Sequence, residues 1–300
     1  MSKHIFWIAS YPKSGNTLVR ALLASLFFTD DGVFDFKLLK NIPAIESTDN
    51  LEFVKKINTQ DYNSLHKLEI LSKYWQKMQA KENLKFDGDF MFVKTHHALV
   101  KILNNSFTTK ENTLGIIYVV RDPRDVVLSM SNHFNFSIEK SIDRLSKQNF
   151  GIFWNDIKNL YKNKILPSTL ISSWDNHFLS WNKYVFDCPR LIIKFEDIVY
   201  KKKETIKKLF YFFVKNYNLK FSNLEKKIEN IIKYSDFNYL KKLEDKIGFD
   251  EAVNNSNFFN KGTKNQWLDK LSDAQIYLIE KNYYNLLKQL NYRIKLYNKT

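Results

Sequence analysis

The chain opens on an unbroken apolar run. Ile5, Phe6, Trp7 and Ile8 follow one another between His4 and Ser10 without alternation, the pattern of a strand buried on both faces. Tyr11-Pro12-Lys13-Ser14-Gly15 interrupts it. From Asn16 the spacing turns helical, with Leu18, Ala21, Leu22, Ser25 and Leu26 on one face. Residues 30–64 are rich in acidic side chains, show no period and read as a surface excursion with short helices; 65–82 reads as helix. Phe90 to Thr95 is a second buried strand, followed by His96-His97 and a short helix. Gly115 to Val120 is a third strand, closed by Arg121-Asp122-Pro123, where Asp122 as N-cap and Pro123 in the first turn start another helix. Residues 138–187 read as helical with a break near Leu166-Pro167-Ser168. Leu191 to Phe195 is a fourth strand, and Thr205 to Val214 a helix with Ile206, Leu209, Phe210 and Phe213 inward. Ser222 with Glu225, and Ser272 with Gln275, have capping-box spacing; the second opens a last amphipathic helix. Strands alternating with helices, without repeat or linker, predict a single α/β domain over 1–300, its central, mainly parallel β-sheet flanked by helices.

Composition narrows the class. With 44% hydrophobic and 26% charged residues the chain can bury a large core. No run of about 18 apolar residues suggests a membrane span. The first apolar stretch is too short for a signal peptide. Cys188 stands alone, so no internal disulfide or cysteine metal cluster is expected, and a cytoplasmic setting fits. The net charge of +15 raises the question of nucleic acid, but only six of the 47 basic residues are arginine. The lysines are spread along the chain among asparagines and isoleucines, the stamp of an AT-rich genome. No nucleic-acid partner is expected; anionic ligands are.

The candidate chemistry sits where strands end. Tyr11 to Thr17 joins the first strand to the first helix, where α/β folds bind ligands and a helix N-terminus favours an anion. Lys13 adds a charge, Ser14 and Thr17 hydroxyls, and Gly15 a close backbone approach. The loop is P-loop-like, yet Gly-x-x-x-x-Gly-Lys-Ser/Thr cannot be matched, which argues against a nucleoside-triphosphate hydrolase. Arg121 ends the third strand, and Ser129 follows two helical turns later. Lys94-Thr95-His96 ends the second strand. No histidine shows metal-ligand spacing, so no metal is expected. Trp174, His177 and Trp181 read as core packing along one helix.

Tyr-Pro-Lys-Ser-Gly-Asn-Thr at 11–17 resembles the phosphosulfate-binding loop of soluble, bacterial or cytosolic-type sulfotransferases. These enzymes take a sulfuryl group from 3′-phosphoadenosine 5′-phosphosulfate. Further matches run in the family's order over nearly the whole chain. Arg121 and Ser129 fit its 3′-phosphate motif, Ser235-Asp236-Phe237 its adenine contact, and Asn260-Lys261-Gly262 with Trp267 its Arg-Lys-Gly segment. Lys94-Thr95-His96 fits its Lys-Thr-His. The resemblance implies that Lys13, Ser14, Gly15, Asn16 and Thr17 hold the 5′-phosphosulfate. It assigns Arg121, Ser129, Lys261 and Gly262 to the 3′-phosphate and Phe237 to adenine. It makes His96 the base, with Lys13 and Lys94 stabilising developing charge, and His97 structural or acceptor-facing. The chain departs from the pattern at Leu18, where a tryptophan usually stacks on adenine, at Phe195, usually tyrosine, and at Asn260, usually arginine.

The function so implied is in-line transfer of a sulfuryl group to a hydroxyl, on a small molecule or a glycan or lipid-linked acceptor. The alternative is a non-catalytic nucleotide-binding or scaffold protein that retains the fold. A phosphotransferase of nucleoside-kinase type is a third reading. The acceptor is not legible; its pocket is expected from residues 30–64, the stretch after Ser137 and the segment around 248–258. A homodimer stays open, because the dimerisation motif of cytosolic animal members is not matched after Trp267.

Overall fold

Every residue of β1 (Ile5–Ser10) is buried because the strand lies in the middle of the sheet. It pairs in parallel with β2 (Met91–Thr95) on one side and β3 (Thr113–Val120) on the other, and β4 (Arg190–Lys194) lies parallel to the far edge of β3. The order is β2-β1-β3-β4. This is the architecture of the computed structural model, which describes residues 3–45, 64–152, 168–183, 186–252, 258–259 and 262–297.

Parallel neighbours need crossover connections, and these carry the helices to both faces. The main ones are α1 (Asn16–Phe28), α2 (Ser64–Ser72), α3 (Pro123–Phe134), α4 (Ile138–Ser146), α5 (Trp174–Asn182), α6 (Phe195–Tyr200), α7 (Lys202–Tyr217), α8 (Leu224–Tyr234), α9 (Phe237–Ile247) and α10 (Asp273–Gln289). Side-chain alternation then splits the core in two. Ile5, Trp7, Ala9, Ile116 and Tyr118 pack with residues of α2, α3, α5 and α10. Phe6, Ile8, Phe92, Ile117 and Val119 pack with α1, α7 and α8. Both layers are apolar, which is why β1 reads as a continuous run.

Arg124, fully buried near the start of α3, joins the last helix to the sheet. It donates to Asp122 Oδ2 and to Glu280 Oε1, each at 2.6 Å, and its guanidinium lies 3.7 Å from the Trp267 ring. Glu280 in turn accepts the backbone N–H groups of Lys295, Leu296 and Tyr297. Ser272 and Gln275 form the expected capping box at the head of α10.

Three local expectations fail. Ser222 does not cap α8, because the N-cap is Asn223, in left-handed conformation at φ 52 and without a side-chain cap. A short hairpin, Lys101–Ile102 with Asn105–Ser106, replaces the helix expected after His97. Of residues 138–187, the described parts are helical only at 138–146 and 174–182, and the break expected at Leu166-Pro167 lies outside the described residues. After α4, Gly151–Ile152 pairs antiparallel with Thr169–Leu170 before α5 begins. Tertiary pairing wins there: Ala98 donates to Leu170 O, and Ile171 and Ser172 both donate to Phe150 O, each at 2.8 Å.

Candidate active site

The strand register brings the motifs together. Ala9 lies opposite Thr95, Ser10 opposite Val119, and Val120 opposite Lys194. The residues that follow, the loop 11–15, His96, Arg121 and Phe195, therefore leave the sheet at one end, as the parallel-sheet rule expects. Pro12, Lys13, Gly15, His96, Arg121 and Phe195 border a cavity of about 1270 Å³ that Phe36, Leu39, His133, Phe249, Glu251 and Phe258 also line. Pockets for one drug-sized ligand run to about 1,000 Å³, and this cavity exceeds that.

Lys13 and Gly15 turn the loop with positive φ, 67° and 98°. At Gly15 a Cβ would come within 2.5 Å of the Phe195 ring. The glycine is thus required by Phe195 as well as by backbone conformation. Phe195 also underlies Arg121, whose guanidinium carbon is 4.2 Å from the ring centroid. Arg121 donates to Lys13 O at 3.1 Å, while its buried Nε has no partner among the described residues. A guanidinium held on one side and unsatisfied on another, at a cavity wall, fits a phosphate. Lys13 Nζ lies 4.6 Å from the Phe258 ring centroid. Burial, then repulsion from Arg121 and Lys94, lowers the Lys13 pKa to about 7, with Glu251 opposing.

His96 borders the cavity. Its Nδ1 is 2.8 Å from Ser10 O. A carbonyl only accepts, so Nδ1 carries the proton and Nε2 is the basic nitrogen. Asn16 steadies the arrangement by donating to Ile8 O at 3.0 Å and Ser10 Oγ at 3.1 Å. The Asn16 side chain thus braces the strand end. Burial, then the Lys94 charge, holds His96 well below its ordinary value. His97 is buried elsewhere, 4.4 Å from the Phe107 ring and 4.8 Å from Trp75, with Nδ1 2.8 Å from Ala98 O. His177, beneath His96, has Nε2 3.1 Å from His96 O and Nδ1 2.7 Å from the Tyr118 hydroxyl. It sits with Trp174 and Trp181 in the core.

Thr17, Lys94, Ser129, Phe237 and Gly262 all border the same cavity, as does Leu18. Ser14 does not: it is fully buried, and its hydroxyl has no partner among the described residues. Asn260 and Lys261 lie outside the described residues. Asp125, in the first turn of α3, accepts from the backbone N–H of Asn265 at 2.7 Å and Trp267 at 3.2 Å, tying the segment after Gly262 to α3.

Of the segments expected around the acceptor, Phe36, Leu39, Ile138, Phe249, Glu251 and Phe258 border the cavity, and His133 joins them from outside those segments. His133 faces the loop from α3; burial, then the Lys13 and Lys94 charges, holds it down at about 3. Glu251 accepts from Arg20 Nη1 and from Thr17 Oγ1 at 3.1 Å, and pairs with Lys94 Nζ at 3.4 Å. The expected acceptor segment includes Glu251, but no motif marks its pairing with Lys94 and Arg20, nor the place of His133 at the cavity. Among the described residues, no group of three or more His, Cys, Asp and Glu side chains is placed to hold a metal ion. No helix among them is long and apolar enough to cross a membrane.

The class follows from the sequence profile of the sulfotransferase domain, which matches residues 3–291: the chain belongs to that family. Mouse sulfotransferase 2A6 is 25% identical over 194 residues, 62% of this chain and 60% of its own length. Mouse sulfotransferase 2A1 is 25% identical over 201 residues, with the same coverage, 62% and 60%. The chain thus spans about 60% of the length of the curated relatives it matches. Among solved structures, mouse sulfotransferase SULT7A1 complexed with PAP superposes with a TM-score of 0.58 at 15% identity, covering 97% of this chain and 86% of that one. Retinol dehydratase in complex with androsterone and the inactive cofactor PAP gives 0.56 at 19% identity, covering 98% and 83%. At these identities the likeness is one of fold: a central parallel sheet flanked by helices.

Proposed function

We propose that the protein moves a sulfuryl group from 3′-phosphoadenosine 5′-phosphosulfate to the hydroxyl of a small-molecule acceptor. The observation that carries this reading is the convergence of Lys13, Lys94, Arg121 and His96 on one cavity at the strand ends. The scaffold alternative is disfavoured by His96, whose tautomer is set for proton acceptance.

Thr17 and the first N–H groups of α1 would hold the 5′-phosphate, and Arg121, Ser129 and Gly262 the 3′-phosphate. Phe237 would contact adenine. The donor supplies an electrophilic sulfur and a good leaving group. In the transfer the acceptor oxygen forms a bond to sulfur as the bond between sulfur and the phosphate oxygen breaks. His96 Nε2 takes the hydroxyl proton. Lys13 and Lys94 stabilise charge on the departing oxygen and the sulfuryl oxygens. 3′-Phosphoadenosine 5′-phosphate, PAP, is the product.

Calorimetry tests the donor assignment. PAP is expected to bind well and 5′-AMP much more weakly, and Arg121→Ala to cost about 1.5–3 kcal/mol in PAP binding, as for a hydrogen bond to a charged group. Equal affinity for the two nucleotides would overturn the 3′-phosphate site.

A further inference from the structure

The cavity carries its own anion. Glu251, in the segment after α9, touches three groups of other elements: Arg20, Thr17 Oγ1 and Lys94 Nζ. Arg20 is otherwise anchored, donating to Ile42 O and Leu39 O at 3.1 Å each, so it is a fixed support for the carboxylate. Thr17 and Lys94 are not supports of that kind. Thr17 lies in the first turn of α1, and Lys94 is the penultimate residue of β2; both border the space in which the phosphosulfate would lie. A dianionic ligand and the Glu251 carboxylate require the same hydroxyl donor and the same ammonium.

We infer that Glu251 is a positioning residue that stands in for the donor: its carboxylate holds Thr17 and Lys94 until a phosphosulfate takes both over, after which it keeps Arg20 alone. Lys94 therefore becomes available to the sulfuryl group only when the donor arrives, and donor affinity is set by a contest between two anions. This rests on the reading of the cavity as a donor site. Burial alone would raise the Glu251 pKa; the charges of Lys94 and Arg20 and the hydrogen bonds from Arg20 and Thr17 outweigh it and hold the group below the ordinary carboxylate range. It stays ionised at working pH, so the contest is one of charge and not of protonation.

A second consequence concerns Lys13. Among the described residues, the charged and titratable groups facing it are Arg121 just after β3, Lys94 from β2, His133 from α3 and Glu251. Of these, only Glu251 favours its protonated form. Removing the carboxylate thus lowers the Lys13 pKa further, below about 7.

The test is PAP binding by calorimetry to the wild-type protein and Glu251→Gln at pH 6 and pH 8. At pH 6 Lys13 is largely protonated in the wild-type protein, and the variant is expected to bind PAP more tightly by about tenfold, the equivalent of about 1.4 kcal/mol. At pH 8 that advantage shrinks, because the variant's Lys13 has lost its proton more completely. A merely structural bridge between Glu251 and Arg20 predicts the reverse, weaker binding at both pH values. If Glu251→Gln does not fold, Glu251→Asp is read instead. It keeps a charge near Arg20 but withdraws it by one methylene from Thr17 and Lys94, and it too is expected to tighten binding at pH 6. Equal or weaker binding by the folded variant overturns the inference while leaving the donor site standing. A wild-type protein that binds no PAP overturns both.

Discussion

At the scale of single residues, two adjacent histidines have opposite surroundings. His96 borders the cavity with its Nδ1 directed at Ser10 O, and His97 is packed between aromatic rings. His96→Ala is expected to keep PAP binding and lose roughly 10²-fold or more in transfer. His97→Ala is expected to lower the melting temperature with a smaller effect on turnover per folded molecule. Thermal melts beside single-turnover rates separate the two; the opposite pattern moves the base by one position. The pH dependence follows from the same burial. His96 lies well below 6.5, so it is already neutral at pH 6, and kcat/KM should show no acid limb near 6.5. The anionic donor favours protonated Lys13, whose pKa is about 7. Donor binding is therefore strong below pH 7, weakens as pH rises past it, and takes up protons there. Calorimetry in buffers of different ionisation enthalpy measures that uptake; binding indifferent to pH between 6 and 9 would contradict it. Lys13, His96 and Arg121 were legible because each stands in a short motif at a strand end. Glu251 and His133 were not: their roles arise only when distant segments meet across the cavity.

Among the secondary-structure elements, the site depends on how α3 is held. Asp122 caps the helix, accepting from Arg124 N at 3.0 Å. One turn on, Asp125 accepts two backbone N–H groups of the segment that follows Gly262. Asp125→Ala leaves those groups unsatisfied, at a cost of about 1–3 kcal/mol. It should also loosen Gly262 and weaken PAP binding, with 5′-AMP binding changed less. Denaturant unfolding and calorimetry check both. The strand–loop–helix units could be read because continuous apolar runs and a proline after Asp122 are strong local signals. The false cap at Ser222 and the helix expected over 138–187 mark where local pattern is weak. Asn223 takes a left-handed turn that moves the cap by one residue, and pairing with Leu170 and Phe150 draws the chain out of helix.

Over the whole molecule, the two apolar layers of the sheet define the fold, and the ends of its strands define the chemistry. The buried Arg124–Asp122–Glu280 group ties α3 to the C-terminal helix. Arg124→Met would leave two carboxylates without their counter-charge, a change that costs about 3–5 kcal/mol in buried pairs. Urea unfolding is expected to show that loss. On the proposed mechanism protein cations carry the charge, so transfer should survive EDTA, and added salt should slow it because exposed charges are screened within about 8–10 Å. Loss on chelation with recovery by magnesium would favour phosphoryl transfer instead. Sulfuryl transfer is measured by supplying sulfur-labelled 3′-phosphoadenosine 5′-phosphosulfate with a panel of hydroxyl compounds to the wild-type protein and His96→Ala. Label is expected on an acceptor oxygen, with one PAP released per product and loss of transfer in a His96→Ala protein that still binds PAP. Transfer at the wild-type rate by the His96→Ala protein would overturn the mechanism.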